Sequence, residues 1–115
     1  MIMKQIWDFS QTVDIDDVKE ILDRQITCNM AIANEGIHNS YGANIGHVIL
    51  NMDSDCVKTR AKAYAAAGSD ARMNGCELPV VINSGSGNQG ITCCVRVVVY
   101  AKELDCTQEQ LYRAL

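Results

Sequence analysis

The run Ala61-Lys62-Ala63-Tyr64-Ala65-Ala66-Ala67-Gly68 is built almost entirely of small side chains, and no other stretch constrains the fold as much. Small side chains let a second helix approach closely, so a helix carrying them belongs in the middle of a bundle and not at its edge. Val57, Ala61, Tyr64, Ala65 and Gly68 share one helical face, Ser54 is placed to cap the start, and Asn74-Gly75 ends the helix. Upstream, Ile15, Val18, Leu22, Ile26, Met30 and Ala33 recur at helical spacing and predict a helix over 14–34. Asp14, Asp16 and Asp17 suit its start, and Gly36 is read as following its end. Ile45, Val48, Ile49 and Met52 predict a shorter helix after Tyr41-Gly42. Thr107 and Gln110 form a capping box for a last helix that runs to Leu115.

Two apolar segments read less simply. Leu78-Pro79-Val80-Val81-Ile82 is extended by its β-branched content and its proline, but it is short. Residues 91–104 are rich in valine, which favours a strand. Their length, and the shared helical face of Ile91, Val95, Val98 and Val99, predict a buried helix instead. The expected fold class is mainly α: a helical fragment with a glycine-rich loop and at most a short strand-like segment.

Between these segments lies Asn83-Ser84-Gly85-Ser86-Gly87-Asn88-Gln89-Gly90. Glycines let main-chain amides approach a small anion, and the neutral polar side chains add donors and acceptors. A helix beginning at 88–90 would aim its unpaired amides and partial positive charge at a carboxylate held by this loop. That chemistry suits a small amino or hydroxy acid. The same residues spell Gly85-x-Gly87-x-x-Gly90, a dinucleotide fingerprint, but such a module needs a second parallel strand, and none can be placed after Gly90. A phosphate loop fails too, because Ile91 and Thr92 follow the last glycine where Lys and Ser or Thr are required.

Ser69-Asp70-Ala71-Arg72-Met73-Asn74-Gly75 is a second polar cluster. Arg72 could clamp a carboxylate with its planar fork, or Asp70 and Arg72 could form a solvated helix end. His38 and His47 are the only histidines; each is read as a surface or core residue, since neither sits in a catalytic pattern. Arg96 interrupts the valine run and calls for an acid partner, a path to water, or a further part of the protein.

The chain has 115 residues, enough for one domain with one core. Its net charge of −4 and the lack of a basic stripe argue against nucleic acid as a partner. No apolar run reaches membrane-spanning length and the start lacks a signal-peptide core, so no membrane partner and a cytoplasmic location are expected. Cys28, Cys56, Cys76, Cys93, Cys94 and Cys106 show no metal-ligand spacing and read as reduced thiols, mostly small core residues.

The run from Ser69 to Gly75, then Leu78-Pro79, the glycine loop with Ile91-Thr92, and Val97-Val98-Val99 closely resemble the serine dehydratase-like family that includes L-cysteine desulfidases. Residues 14–35 and Tyr41-Gly42-Ala43-Asn44-Ile45-Gly46 extend the resemblance over nearly the whole chain. The family pattern has Pro where this chain has Arg96. The resemblance implies a middle segment, 1–115 as a single domain, of a longer lyase that eliminates hydrogen sulfide or water from L-cysteine or L-serine to give pyruvate and ammonia. It implies a [4Fe-4S] cluster held by cysteine motifs that this sequence lacks, so no metal is expected on this chain alone. Its partners would be the amino acid substrate and the remainder of the parent polypeptide, with homo-oligomers left open. Substrate binding falls to Asn83, Ser84, Gly85, Ser86, Gly87, Asn88, Gln89 and Gly90, with Ser69 and Arg72 behind them; no base is assigned. A different class of reading is a noncatalytic amino-acid-binding or assembly domain.

Overall fold

A computed structural model describes residues 2–52 and 56–115. Six helices account for most of them: α1 Met3–Thr12, α2 Ile15–His38, α3 Ile45–Met52, α4 Val57–Met73, α5 Gly87–Glu103 and α6 Gln108–Ala114. The fold is mainly α, as expected, and the only β pairing among the described residues is one isolated bridge, Asn83 with Ser86.

Helix α4 is the centre. It packs against α2, α3 and α5, and burial of Ala61, Ala63, Ala65, Ala67 and Ala71 runs around the helix instead of along one stripe. Alanine on several sides lets three neighbours come close at once. Ile32 and Ala33 of α2, Ala65 and Ala71 of α4, and Ile91 and Val95 of α5 form the main core. Ile37 joins Ala63 and Ala67 in a second cluster under α3. The expected cap Ser54 lies outside the described residues; the N-cap position of α4 is Cys56, whose side chain makes no capping hydrogen bond.

The end of α2 corrects the sequence reading. Gly36 does not stop the helix, which continues to His38. It is buried, and a Cβ there would lie 2.1 Å from the Ala67 carbonyl oxygen. Gly36 is thus a contact point between α2 and α4 and not a terminator. The start follows the expectation: the Asp14 carboxylate accepts from the Asp16 amide at 3.0 Å, beside Asp16 and Asp17 in the first turn.

Helix α4 ends at Asn74-Gly75, in line with the sequence. Gly75 takes φ +95°, and the Cys76 amide reaches back to the Ala71 carbonyl at 3.0 Å, the six-to-one bond of a Schellman motif. Helix α5 ends the same way, with Asp105 at φ +53° and the Cys106 amide on the Ala101 carbonyl at 3.0 Å. Thr107 and Gln110 make the expected reciprocal capping box of α6, at 3.2 and 2.9 Å.

Helix α1 has no counterpart in the sequence reading, and none of its residues is buried. It is held by α6. Arg113 donates to the Ser10 and Val13 carbonyls at 3.1 and 3.0 Å, placing a cation at the negative end of α1. Helix α6 is in turn tied to α2 through buried Tyr112, whose hydroxyl donates to Asp23. Among the described residues no helix is long and apolar enough to cross a membrane.

Candidate functional site

The segment leading into the glycine loop is tied to α2 by the side chain of Asn29. Residues 76–82 belong to no helix and pair with no strand among the described residues, so the half-buried backbone groups of Val81 need partners elsewhere. Asn29 of α2 supplies them. Its Oδ1 accepts from the Val81 amide at 2.9 Å, and its Nδ2 donates to the Val81 carbonyl at 3.2 Å and the Gly90 carbonyl at 3.3 Å. Asn29 is fully buried, and its primary amide takes the place of a neighbouring strand. The sequence reading missed it. The available signal was a polar residue within one helical turn of Ile26 and Ala33, on the face that had to be buried.

Beyond Val81 the chain reverses in two residues. The Asn83 and Ser86 backbones exchange hydrogen bonds, both at 3.0 Å, while Ser84 and Gly85 take φ +51° and +79°. Positive φ at both central positions is the signature of a type I′ turn. Helix α5 then begins at Gly87, one residue before the expected range. The Ser86 hydroxyl accepts from the Gln89 amide at 3.2 Å, and the Ser86 carbonyl from the Gly90 amide at 3.1 Å. Of the first amides of α5, those of Gly87 and Asn88 therefore have no acceptor among the described residues.

Each glycine of the motif has its own job. Gly85 allows the turn. At Gly87 a Cβ would lie 2.6 Å from Arg72 Nε and 2.7 Å from its Cζ, and at Gly90 it would lie 2.1 Å from the Val81 carbonyl oxygen. The dinucleotide reading stays excluded, because the segment before the loop joins no sheet.

Arg72 meets the loop. From the last turn of α4 its guanidinium lies against Gly87, and Nη1 donates to Asn88 Oδ1 at 3.1 Å. No acid pairs with it among the described residues. Asp70 is occupied elsewhere: its Oδ2 accepts from the Ile45 amide at 2.8 Å and so caps α3. Asp70 is thus more than a solvated helix end, while Arg72 is exposed. A guanidinium suits the C-terminus of α4, but here it also sits at the positive N-terminus of α5. Ser69, one turn earlier on α4, lies instead in the crevice beside Thr92 and Arg96 of α5. The structure gathers Arg72, Ser86, Gly87 and Asn88, with Asn83, Ser84, Gly85 and Gln89 around them, and leaves Ser69 to one side.

The other candidates separate. His38 donates from Nδ1 to the Asn34 carbonyl at 2.7 Å on the surface. His47 Nε2 is buried without a hydrogen-bond partner among the described residues. Arg96 is exposed, and α5 passes through it unbroken. The cysteines need a correction: Cys94 alone is buried, Cys28 and Cys76 are half-buried, and Cys56, Cys93 and Cys106 are exposed. Burial pushes the Cys94 thiol from the ordinary 9.0 up to about 11. The helical reading of 91–104 explains the division, since adjacent Cys93 and Cys94 must point apart.

A family model for the serine dehydratase alpha chain matches residues 2–115. The chain belongs to the serine dehydratase alpha chain family. It is 58% identical over 113 residues to a UPF0597 protein of Desulfitobacterium hafniense, covering 98% of this chain and 26% of that one. It is 57% identical to a UPF0597 protein of Lachnoclostridium phytofermentans, covering 96% of this chain and 26% of the relative. A Finegoldia magna UPF0597 protein is 50% identical, covering 98% and 27%. The chain thus spans about a quarter of the length of the curated relatives it matches. No solved structure matches it.

The described residues do not fit an iron–sulfur cluster. Only Cys93 and Cys94 share an element, α5, where adjacent side chains point apart, and Cys94 is buried. Among the described residues no three His, Cys, Asp or Glu side chains come together to hold a metal.

Proposed function

We propose that this chain supplies the substrate-carboxylate site of a lyase that eliminates hydrogen sulfide or water from L-cysteine or L-serine, giving pyruvate and ammonia. The observation that carries the reading is the meeting of two unpaired amides, Gly87 and Asn88, with a guanidinium that lacks an acid partner among the described residues, Arg72. All three favour an anion, and a helix N-terminus with Arg in reach is suited to one carboxylate held by parallel hydrogen bonds. Such an anion would take over the donor now given to Asn88 Oδ1. Ser86, Gln89 and Asn83 line the same turn and can meet the remaining polar atoms of the amino acid. The [4Fe-4S] cluster of the parent enzyme would be bound by segments outside these residues, as would the base that removes the α-proton. This chain's contribution is to bind and orient.

The test is an NMR titration of the 15N-labelled chain with L-serine, L-cysteine and ethanolamine, which lacks a carboxylate. The amides of Gly87 and Asn88 should shift with the two acids and not with ethanolamine, and Arg72→Gln should abolish the response. No shift at those amides at tens of millimolar acid would sink the site. Turnover is read separately in a chimera carrying this chain in the matching quarter of the Desulfitobacterium hafniense relative, assayed without oxygen for pyruvate. Binding without pyruvate release from either substrate would favour the noncatalytic amino-acid-binding domain.

A further inference from the structure

Helix α6 is flanked on both sides by apolar grooves. One, of about 460 Å³, is walled by Ile6 and Trp7 of α1 with Val18 and Leu22 of α2. The other, of about 520 Å³, is walled by Val97, Tyr100 and Leu104 at the end of α5 with Leu111 of α6. Ala114 borders both, so the two join as one apolar belt around α6. Trp7 is 63% exposed and Leu104 69%. Contiguous apolar patches of this kind mark interaction surfaces.

Helix α1 adds a second sign of a missing neighbour. It is ten residues long, buries none of them, and meets only α6 among the described helices. A helix that short is marginal without tertiary cover on its apolar face. On the rim of the second groove stands Arg96, exposed and with no ion pair among the described residues.

We infer that this belt seats an apolar, helix-forming segment from the polypeptide that the relatives carry outside the matching quarter, with a carboxylate opposite Arg96. The chain covers 26 to 28% of each of the first six relatives, so most of the polypeptide in such proteins lies outside this unit and needs a surface on it. A second copy fits less well. A two-fold interface uses one self-complementary patch, whereas here two concave strips differ in their walls: the arginine of the first, Arg113, is paired with Glu109, and that of the second, Arg96, has no ion pair among the described residues. The inference rests on this chain working within a longer polypeptide, but not on the carboxylate site or on lyase chemistry.

Two exposed thiols report on the belt directly, because Cys93 and Cys106 both line the second groove. Cys56, exposed at the start of α4, serves as the control. Alkylation by iodoacetamide, mapped by mass spectrometry, is compared between the isolated chain and the chimera with the Desulfitobacterium hafniense relative. Cys93 and Cys106 should react at least tenfold more slowly in the chimera while Cys56 is unchanged, and Arg96→Glu should restore much of the lost rate. Equal rates in both proteins would overturn the inference. So would a slowing of Cys93 and Cys106 with rising concentration of the isolated chain, which would assign the belt to a second copy. If the chimera is insoluble, coexpression of this chain with the relative's flanking segments gives the same two readings. Protection with no pyruvate released would uphold the belt and count against the proposed lyase; pyruvate with no protection would do the reverse.

Discussion

Replacing Asn29 should unseat the glycine loop, and the order of the variants tests why. Asn29 satisfies three backbone groups: the Val81 amide, the Val81 carbonyl and the Gly90 carbonyl. Gly90 lies within α5, where helix geometry gives its carbonyl a second partner, so losing Asn29 leaves that oxygen satisfied. The two Val81 groups have no such reserve, and each orphaned group costs roughly 1–3 kcal/mol. Asn29→Ala should therefore cost about 3 kcal/mol, reduced somewhat if water enters the space and bonds to Val81. Asn29→Leu fills the same space with groups that bond nothing and leaves no room for that water. It should cost about 4 kcal/mol, more than alanine despite the better filling.

Urea denaturation followed by circular dichroism measures both variants. With a slope of about 1.5 kcal/mol/M, Asn29→Ala should move the midpoint down by about 2 M. Leucine equal to or better than wild type would mean that the site wants volume and not hydrogen bonds, and Asn29 could not be what suspends the loop. Asn29→Asp adds a second handle. Its carboxylate can accept from Val81 but presents oxygen to two carbonyls, whereas the protonated acid can donate once. That variant should gain stability relative to wild type as pH falls through the elevated pKa of the buried acid.

Gly36→Ala and Gly90→Ala each drive a methyl to 2.1 Å from a carbonyl oxygen; overpacking of this kind costs about 1–3 kcal/mol, readable in the same urea midpoints, with Gly75→Asn as a milder control because nothing lies within 4 Å of that position. Asp105→Gly should stabilise by about 0.5–1 kcal/mol, since Asp105 holds φ +53° at the C′ position of α5 where glycine is not strained; a lower melting temperature would contradict it. Alkaline pH should destabilise the fold. Burial raises Cys94 to about 11, and the hydrogen bond to Glu35 raises Tyr41 to about 12, so the unfolded chain loses these protons first. The stability they contribute is fully present below pH 9 and is lost as pH rises through 11 and 12. A Cys94→Ala, Tyr41→Phe variant, though less stable at pH 7, should show a shallower decline above pH 9.

What the sequence made legible was local. Capping chemistry at Asp14, Asn74-Gly75 and Thr107 with Gln110 acts between residues a few positions apart, and it placed three helix ends well. The alanine run placed α4 at the centre, because side-chain size limits how near neighbours come. What stayed hidden was tertiary. Gly36 reads as a stop in one dimension and is a contact in three, since only the position of Ala67 reveals why no Cβ fits. Asn29 looks like an ordinary helical polar residue until Val81, far along the chain, arrives beside it. Helix α1 escaped for a related reason: its apolar face is covered by nothing in α2 to α5, so its spacing matched no core that could be drawn.

The glycine loop itself shows how a short pattern can be explained twice. Gly85, Gly87 and Gly90 are each required by the fold, for a positive φ, for the Arg72 guanidinium and for the Val81 carbonyl, so glycine content alone does not point to a ligand. What points to one is the charge those requirements leave unbalanced. Gly87 makes room for a cation at the end of a helix that repels cations, and Asn88 offers it one neutral oxygen at 3.1 Å. A side chain of opposite charge would relieve that arrangement, yet Asp70, the acid two residues before Arg72, is committed to the amide of Ile45. Among the described residues no charge of the missing sign reaches Arg72. On the reading proposed above, a carboxylate small enough to sit on two adjacent amides would meet that need.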